Sequence, residues 1–219
     1  MLLRDFGSDE ILLLIYATRW TIALSLIAFL GGGVFGIVFA LLRILPVRLL
    51  NYLSGVYIQI IQGTPLLLQL FVVFFGLAIF GWDISAWWAA ALALTAYTSA
   101  FLSEIWRGCI QAIPKPQWEA SRSLGMGIFQ LLWYVIMPQA VKIAIPPTVG
   151  FLVQVIKGTA LTSVIGFVEL TRTAQLINNV TLEPFAVYSV ISIIYFSLCF
   201  PLTALSRRLE RRLNVSSAN

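Results

Sequence analysis

The sequence has no histidine, only two cysteines, and little charge: 11% of its residues are Asp, Glu, Lys or Arg. Without histidine there is no imidazole acid–base catalysis and no His-rich metal site. Cys109 and Cys199 fall in or beside apolar segments, which argues against a disulfide framework. No G-x-x-x-x-G-K-[ST] loop occurs, so the chain does not itself cradle ATP. Neither a G-x-S-x-G elbow nor an H-E-x-x-H pair is present. Asp83 and Glu104 belong to opposite ends of one apolar segment, so no pair of carboxylates is set up for catalysis. Catalytic and metal residues are therefore expected to be absent, and no cofactor is expected. Internal repeats and low-complexity tracts are missing too. The first sixteen residues lack the combined basic start, apolar core and small-residue site of a removable signal peptide.

What is present is apolar. Hydrophobic residues make up 60% of the chain, far more than a soluble domain needs, which predicts an all-α integral membrane protein. Five apolar runs stand out, at about residues 20–42, 53–80, 84–103, 143–165 and 185–206. At ~1.5 Å per residue each is long enough to cross a hydrocarbon core of ~30 Å. Residues 1–19 read as an interfacial lead-in, and the whole chain as one transmembrane domain. Gly32 and Gly36 form a small-xxx-small pair that permits close helix contact.

The net charge of +5 is unevenly placed. Arg43, Arg48, Arg107, Lys115, Arg122, Lys142 and the tail arginines 207, 208, 211 and 212 fall on one side of a five-span topology. Arg4 and Arg172 fall on the other, with Asp5, Asp9, Glu10, Asp83, Glu169 and Glu183. Basic loops mark the cytoplasmic side, which puts the N-terminus outside and the C-terminus inside. The basic tail is thus a topology signal and not a nucleic-acid arm.

Polar residues inside the runs have two readings. Pro65, after Gly63 and Thr64, breaks the second run and leaves a carbonyl one turn earlier in need of a partner. Gln59, Gln62, Leu66 and Gln69 share one helical face there, and Thr95, Ser99 and Ser103 form a stripe on the third run. Gln154 and Lys157 share a face of the fourth. Gln59, Gln62, Thr64, Ser99 and Gln154 are candidates for a polar path; the plainer reading is interhelical hydrogen bonding, worth only ~0.6 kcal/mol on average. A lysine within a span costs ~2.5–3.5 kcal/mol unless it snorkels or meets a ligand, and both readings stand for Lys157. Glu104 with Arg107, and Glu169 with Arg172, have the spacing of simple ion pairs. Residues 167–179 read as an amphipathic helix with Phe167, Leu170, Ala174 and Ile177 on its apolar side.

Residues 113–138 are the longest polar interruption. Within them, residues 116–125 predict a short helix with Pro116 and Glu119 in its first turn and Gly125 at its end. Glu119-Ala120-Ser121, Gly125, and Val135-Ile136-Met137-Pro138 resemble, at matching spacing, the EAA motif of ABC importer permeases. Gln62-Gly63-Thr64-Pro65-Leu66-Leu67, the stretch from Ala96-Tyr97-Thr98-Ser99 to Arg107-Gly108, and Lys157-Gly158-Thr159-Ala160-Leu161 are similar to the polar amino-acid (histidine/glutamate/glutamine) branch. In many such permeases Gly158 is an Asp. The resemblance implies a type I importer (MetI-like) permease fold in a bacterial inner membrane. It implies an ATP-driven importer of polar amino acids in which residues 116–125 couple to a separate ATP-binding cassette ATPase through Glu119, Ala120, Ser121 and Gly125. A second permease subunit and an extracytoplasmic binding protein complete the implied assembly, with ATP bound by the partner. Two other classes remain: an ion-coupled carrier or channel without an ATPase, which calls for mid-depth carboxylates, and a membrane enzyme.

Overall fold

The computed structural model describes residues 5–217, all in helices and the turns between them, with no strand among them. Arg4 and the two chain ends, on which part of the topology reading rests, lie outside that range. The helices are α1 (Ser8–Ile44), α2 (Arg48–Gly63), α3 (Leu66–Ile79), α4 (Ala86–Gln111), α5 (Lys115–Ser123), α6 (Ile128–Ile165), α7 (Leu170–Thr181) and α8 (Pro184–Ser217).

Three of these, α1, α6 and α8, are long and apolar enough to cross a membrane; α2 and α3 add a fourth if the bent pair is one span. The helix at the expected third span, α4, is not among them. It is the hub, packed most extensively on α1 and also on α2 and α6. Its Ala89, Ala90, Ala93, Thr98, Ser99 and Ala100 are buried. A helix surrounded by protein has no need to present a greasy surface to lipid, so its polar stripe is tolerated.

The helices overrun the boundaries read from the sequence. From residue 8 on, the expected lead-in is helix continuous with the first apolar run: α1 begins at Ser8, where the Gly7 N–H donates to Glu10 Oε2 (3.0 Å). Leu14 then packs fully buried among Leu170, Ala174, Ile177, Val187 and Ile191 of α7 and α8. Pro46 ends α1, because the residue before proline is driven out of the helical region; Leu45 sits at φ −62°, ψ 144°. The helix that holds the fourth apolar run starts at Ile128, with a π-turn over Leu132–Ile136 and a 3-10 segment over Thr159–Ile165. Pro138 follows that π-turn without ending the helix. The tail is no loop: α8 carries its arginines to Ser217 as continuous helix.

α1 meets α4 at its glycines. A Cβ at Gly32 would lie 2.5 Å from the Thr98 side chain and 3.0 Å from the Ser99 nitrogen. One at Gly36 would lie 3.2 Å from the Ser99 carbonyl. The small-xxx-small pair is the seat on which the hub rests.

The Pro65 break bends α3 by 106° from α2. The carbonyl freed by the missing Pro65 N–H belongs to Ile61, and Gln69 Nε2 donates to it at 2.7 Å, and to the Thr64 carbonyl at 3.0 Å. Gln69 therefore does not share a face with Gln59 and Gln62; the bend folds it back as a cap. Gln69→Leu should leave the Ile61 carbonyl unpaired and cost ~1–3 kcal/mol. A lowered thermal midpoint of the purified protein checks this, and an unchanged midpoint would mean the bend is held elsewhere.

Candidate coupling helix and translocation path

α5 is built by local rules. Pro114, extended at φ −56° and ψ 138°, is its N-cap, and Pro116 lies in the first turn, where its absent N–H costs nothing. Because the helix starts at Lys115, Glu119 stands in the second turn and not the first, outside the strongest part of the helix dipole. The C-terminus closes as a Schellman turn: the Met126 N–H donates to the Ser121 carbonyl (3.2 Å) and the Gly125 N–H to that of Arg122 (2.9 Å). Gly125 is left-handed at φ +76°.

One side of α5 is fastened to the bundle. Trp118 Nε1 donates to the Ile113 carbonyl (3.3 Å), and its ring packs on the cluster of Ile110, Ile113, Leu131, Leu132, Ile136 and Ala140. Met126, Val135 and Met137 join the same cluster. The two halves of the sequence motif thus meet: the residues after Gly125 form the base of α6 against which α5 is seated. Ser121 faces inward, 4% exposed, and its hydroxyl donates to the Gln117 carbonyl. Glu119 and Ala120 face outward, exposed. Packed side chains connect the inner face to α4, through Ile110, and to α6, through Leu131, Leu132, Ile136 and Ala140.

The chain leading into α5 carries a charged junction. Arg107 Nε donates to both Glu104 oxygens (2.9 Å each), as the spacing predicts, and Arg107 Nη1 donates to Gln111. The sequence does not show that Arg43 of α1 joins them, with Nε 3.6 Å from Glu104 Oε1. Arg43 Nη1 donates to Asn51 Oδ1 (2.9 Å) and lies over Gly55, where a Cβ would come within 2.8 Å. These partners are far apart in sequence or depend on the α1–α2 turn, so no local pattern shows them.

The path candidates form two groups. Gln59 and Gln62 of α2 and its C-cap Thr64 are exposed; Gln62 Nε2 donates to the Ala100 carbonyl (3.3 Å), and the Thr64 hydroxyl donates to the Ile60 carbonyl. Ser99 is 1% exposed between α2 and α4, and its hydroxyl is 2.7 Å from that of Tyr57, which also donates to the Ala96 carbonyl (3.0 Å). Tyr57, stacked on Phe39, was not singled out by the sequence, because its polar partners Ala96 and Ser99 lie on another helix. On α6, Gln154 and Lys157 share an exposed face, Lys157 near Cys199 of α8. No hydrogen bond joins the α2 and α6 groups among the described residues. They flank one crossing nonetheless: a Cβ on Gly158 would meet Leu66 Cδ2 at 3.2 Å. A residue larger than glycine at 158 requires Leu66 to shift.

Glu169 and Arg172 do not form an ion pair. Glu169 is the N-cap of α7, accepting the Arg172 backbone N–H (2.9 Å), while the guanidinium donates to Gln175. The apolar face predicted for this helix is buried as expected, although Phe167 precedes the helix and packs with the hub cluster.

Comparison with known proteins gives a consistent answer. Residues 32–215 match the family described as binding-protein-dependent transport system inner membrane component. The chain is 37% identical over 196 residues to the probable glutamine ABC transporter permease protein GlnM of Bacillus subtilis (strain 168), covering 90% of this chain and 91% of that one. It is 37% identical to the L-cystine transport system permease protein TcyB of the same organism, covering 89% and 84%. It is 35% identical to the nopaline transport system permease protein NocM of Agrobacterium fabrum (strain C58 / ATCC 33970), covering 92% and 88%. Among solved structures, an amino acid ABC transporter crystallised with histidines superposes with a TM-score of 0.87 at 38% identity, covering 91% of this chain and 94% of that one. An inward-facing MetNI methionine ABC transporter superposes at 0.79 with 18% identity, covering 95% and 99%, a likeness of fold alone.

Proposed function

Since the chain belongs to the inner membrane components of binding-protein-dependent transport systems, we propose that it is the permease subunit of an ATP-driven importer for polar amino acids. The observation that carries the coupling is α5: a capped helix whose inner side is packed on the bundle and whose outer side offers Glu119 beside the small Ala120. A separate ATP-binding cassette ATPase grips that face, binds and hydrolyses the ATP, and moves the spans as it closes. The permease itself is non-catalytic and needs no cofactor. A second permease subunit, identical or paralogous, completes the path, and an extracytoplasmic binding protein delivers the cargo.

Within the bundle, Gln59, Gln62, Thr64 and Ser99 from one side and Gln154 and Lys157 from the other supply the path's polar groups. Five helical crossings, with α2 and α3 as one broken span and α4 as the hub, put the N-terminus outside and α5 inside. The charge distribution supports this orientation. A cysteine at Ser217 should be labelled by impermeant thiol reagents in inverted vesicles only; labelling in intact spheroplasts would refute the orientation.

The whole reading is tested by reconstituting the permease with its ATPase and binding protein in liposomes. ATP-dependent uptake should be competed by polar amino acids; uptake without ATP would overturn the proposal. Gln62→Leu and Gln154→Leu each remove an amide at similar bulk, and should reduce uptake several-fold while the ATPase still co-purifies. Normal transport by both would assign these side chains to helix packing.

A further inference from the structure

We propose that Glu169 is a positioning residue of the transport cycle, its carboxyl group latching α7 to α1 and α8 so that α7 moves only when the latch opens. The inference rests on the transporter reading above. Glu169 is 0% exposed and forms no salt bridge among the described residues: its Oε2 accepts from the Thr21 hydroxyl of α1 (3.2 Å) and from the Tyr195 hydroxyl of α8 (3.1 Å). Its Oε1 accepts the Arg172 N–H at the first turn of α7.

The network has one direction. The Leu170 N–H donates to the Thr21 oxygen (3.2 Å), and Thr21 passes its own proton to Glu169. Tyr195 commits its proton to Glu169, so Thr171 is the donor in the 2.9 Å contact between those two hydroxyls. Both chains end on the Glu169 carboxyl group, whose oxygens accept from them. A buried carboxylate held by hydroxyls and first-turn backbone N–H groups, with no salt bridge among the described residues, depends on these donors. Moving any one of the three helices opens it.

α7 has sharply defined ends. It is bracketed by two left-handed residues, Gly166 (φ +85°) and Leu182 (φ +55°), the latter the one non-glycine with positive φ among the described residues. A leucine in that region marks a backbone position that the surrounding structure holds against its preference. Leu170, Ala174 and Ile177 lie inward against Leu14, Val187 and Ile191, while Leu176 and Val180 are exposed.

The test uses the full complex in liposomes, with Thr21→Val and Thr21→Ser as a pair. Valine keeps the shape of threonine and loses the hydroxyl; serine keeps the hydroxyl. A spin label is placed at exposed Leu176 through Leu176→Cys, with Cys109 and Cys199 replaced by alanine. Thr21→Val, which removes two hydrogen bonds, and Glu169→Gln, which removes at least one, should increase label mobility and lower the ratio of substrate-stimulated to basal ATP hydrolysis about fivefold or more. Thr21→Ser should match the parent in both. Label mobility and ratio unchanged in Thr21→Val and Glu169→Gln would overturn the latch. So would equal effects of Thr21→Val and Thr21→Ser, which would make the contact one of packing alone. If the parent complex shows no substrate-stimulated hydrolysis, the transporter reading has failed, and label mobility still decides whether the latch exists.

Discussion

Gly32→Ala should sharply reduce the yield of folded protein, whereas Gly33→Ala, one residue on, should be tolerated. The alanine Cβ at 32 would stand 2.5 Å from Thr98 Cβ, a distance that no side-chain rotation relieves. Either α1 and α4 separate along their whole contact or α1 rotates, and overpacking of this kind costs ~1–3 kcal/mol or more. That is a large share of the ~5–15 kcal/mol that holds a typical domain folded. A Cβ at 33 meets nothing closer than Trp106 at 3.8 Å, and alanine there gains ~1 kcal/mol of helix propensity. Size-exclusion yield and thermal midpoint in detergent check both; equal behaviour of the two variants would contradict the described α1–α4 seat.

The second large effect is at α5. Glu119→Lys reverses an exposed charge without touching the packed side of the helix, so the spans should insert and fold normally. Association with the ATPase should weaken tenfold or more, since like charges brought together at an interface cost several kcal/mol, with ~1.4 kcal/mol per tenfold. Gly125→Val acts differently. Space around Gly125 is open, so the cost is the left-handed backbone, ~1–2 kcal/mol for a side-chain-bearing residue. Its Schellman turn should loosen and α5 lose its fixed angle. Co-purification of the ATPase and substrate-stimulated ATP hydrolysis check both variants; normal stimulation in both would remove α5 as the transmission element.

The α5 helix was legible in the sequence because its determinants are local. Proline near the start, glycine at the left-handed end and the apolar residues that follow all lie within about two dozen positions. The break at Pro65 was equally legible, down to the carbonyl that needs a partner. The partner was not, because Gln69 reaches Ile61 only after a 106° bend that helical periodicity does not contain. Helix ends were less legible for a related reason. Apolar runs mark where lipid or core begins, whereas α1 and α8 continue as helix into polar sequence. The i, i+3 spacing of Glu169 and Arg172 suggested an ion pair, but an N-cap carboxylate finds the backbone N–H first. Its other partners, Thr21 and Tyr195, are set by tertiary packing. The path candidates were visible as unusual polar residues in apolar runs, yet their spacing could not show that Ser99 is enclosed against Tyr57 while Gln59 and Lys157 are exposed.

A photoreactive residue at Ala120, compared with one at Phe185, tests the central claim most directly. Ala120 lies on the outward face of α5, and Phe185 is 88% exposed at the start of α8, on the proposed extracytoplasmic side. Irradiation of membranes containing the assembled importer should yield an adduct with the ATPase from position 120 and none from position 185. An ATPase adduct from position 185, or none from position 120 in a complex that still hydrolyses ATP in response to substrate, would contradict the account.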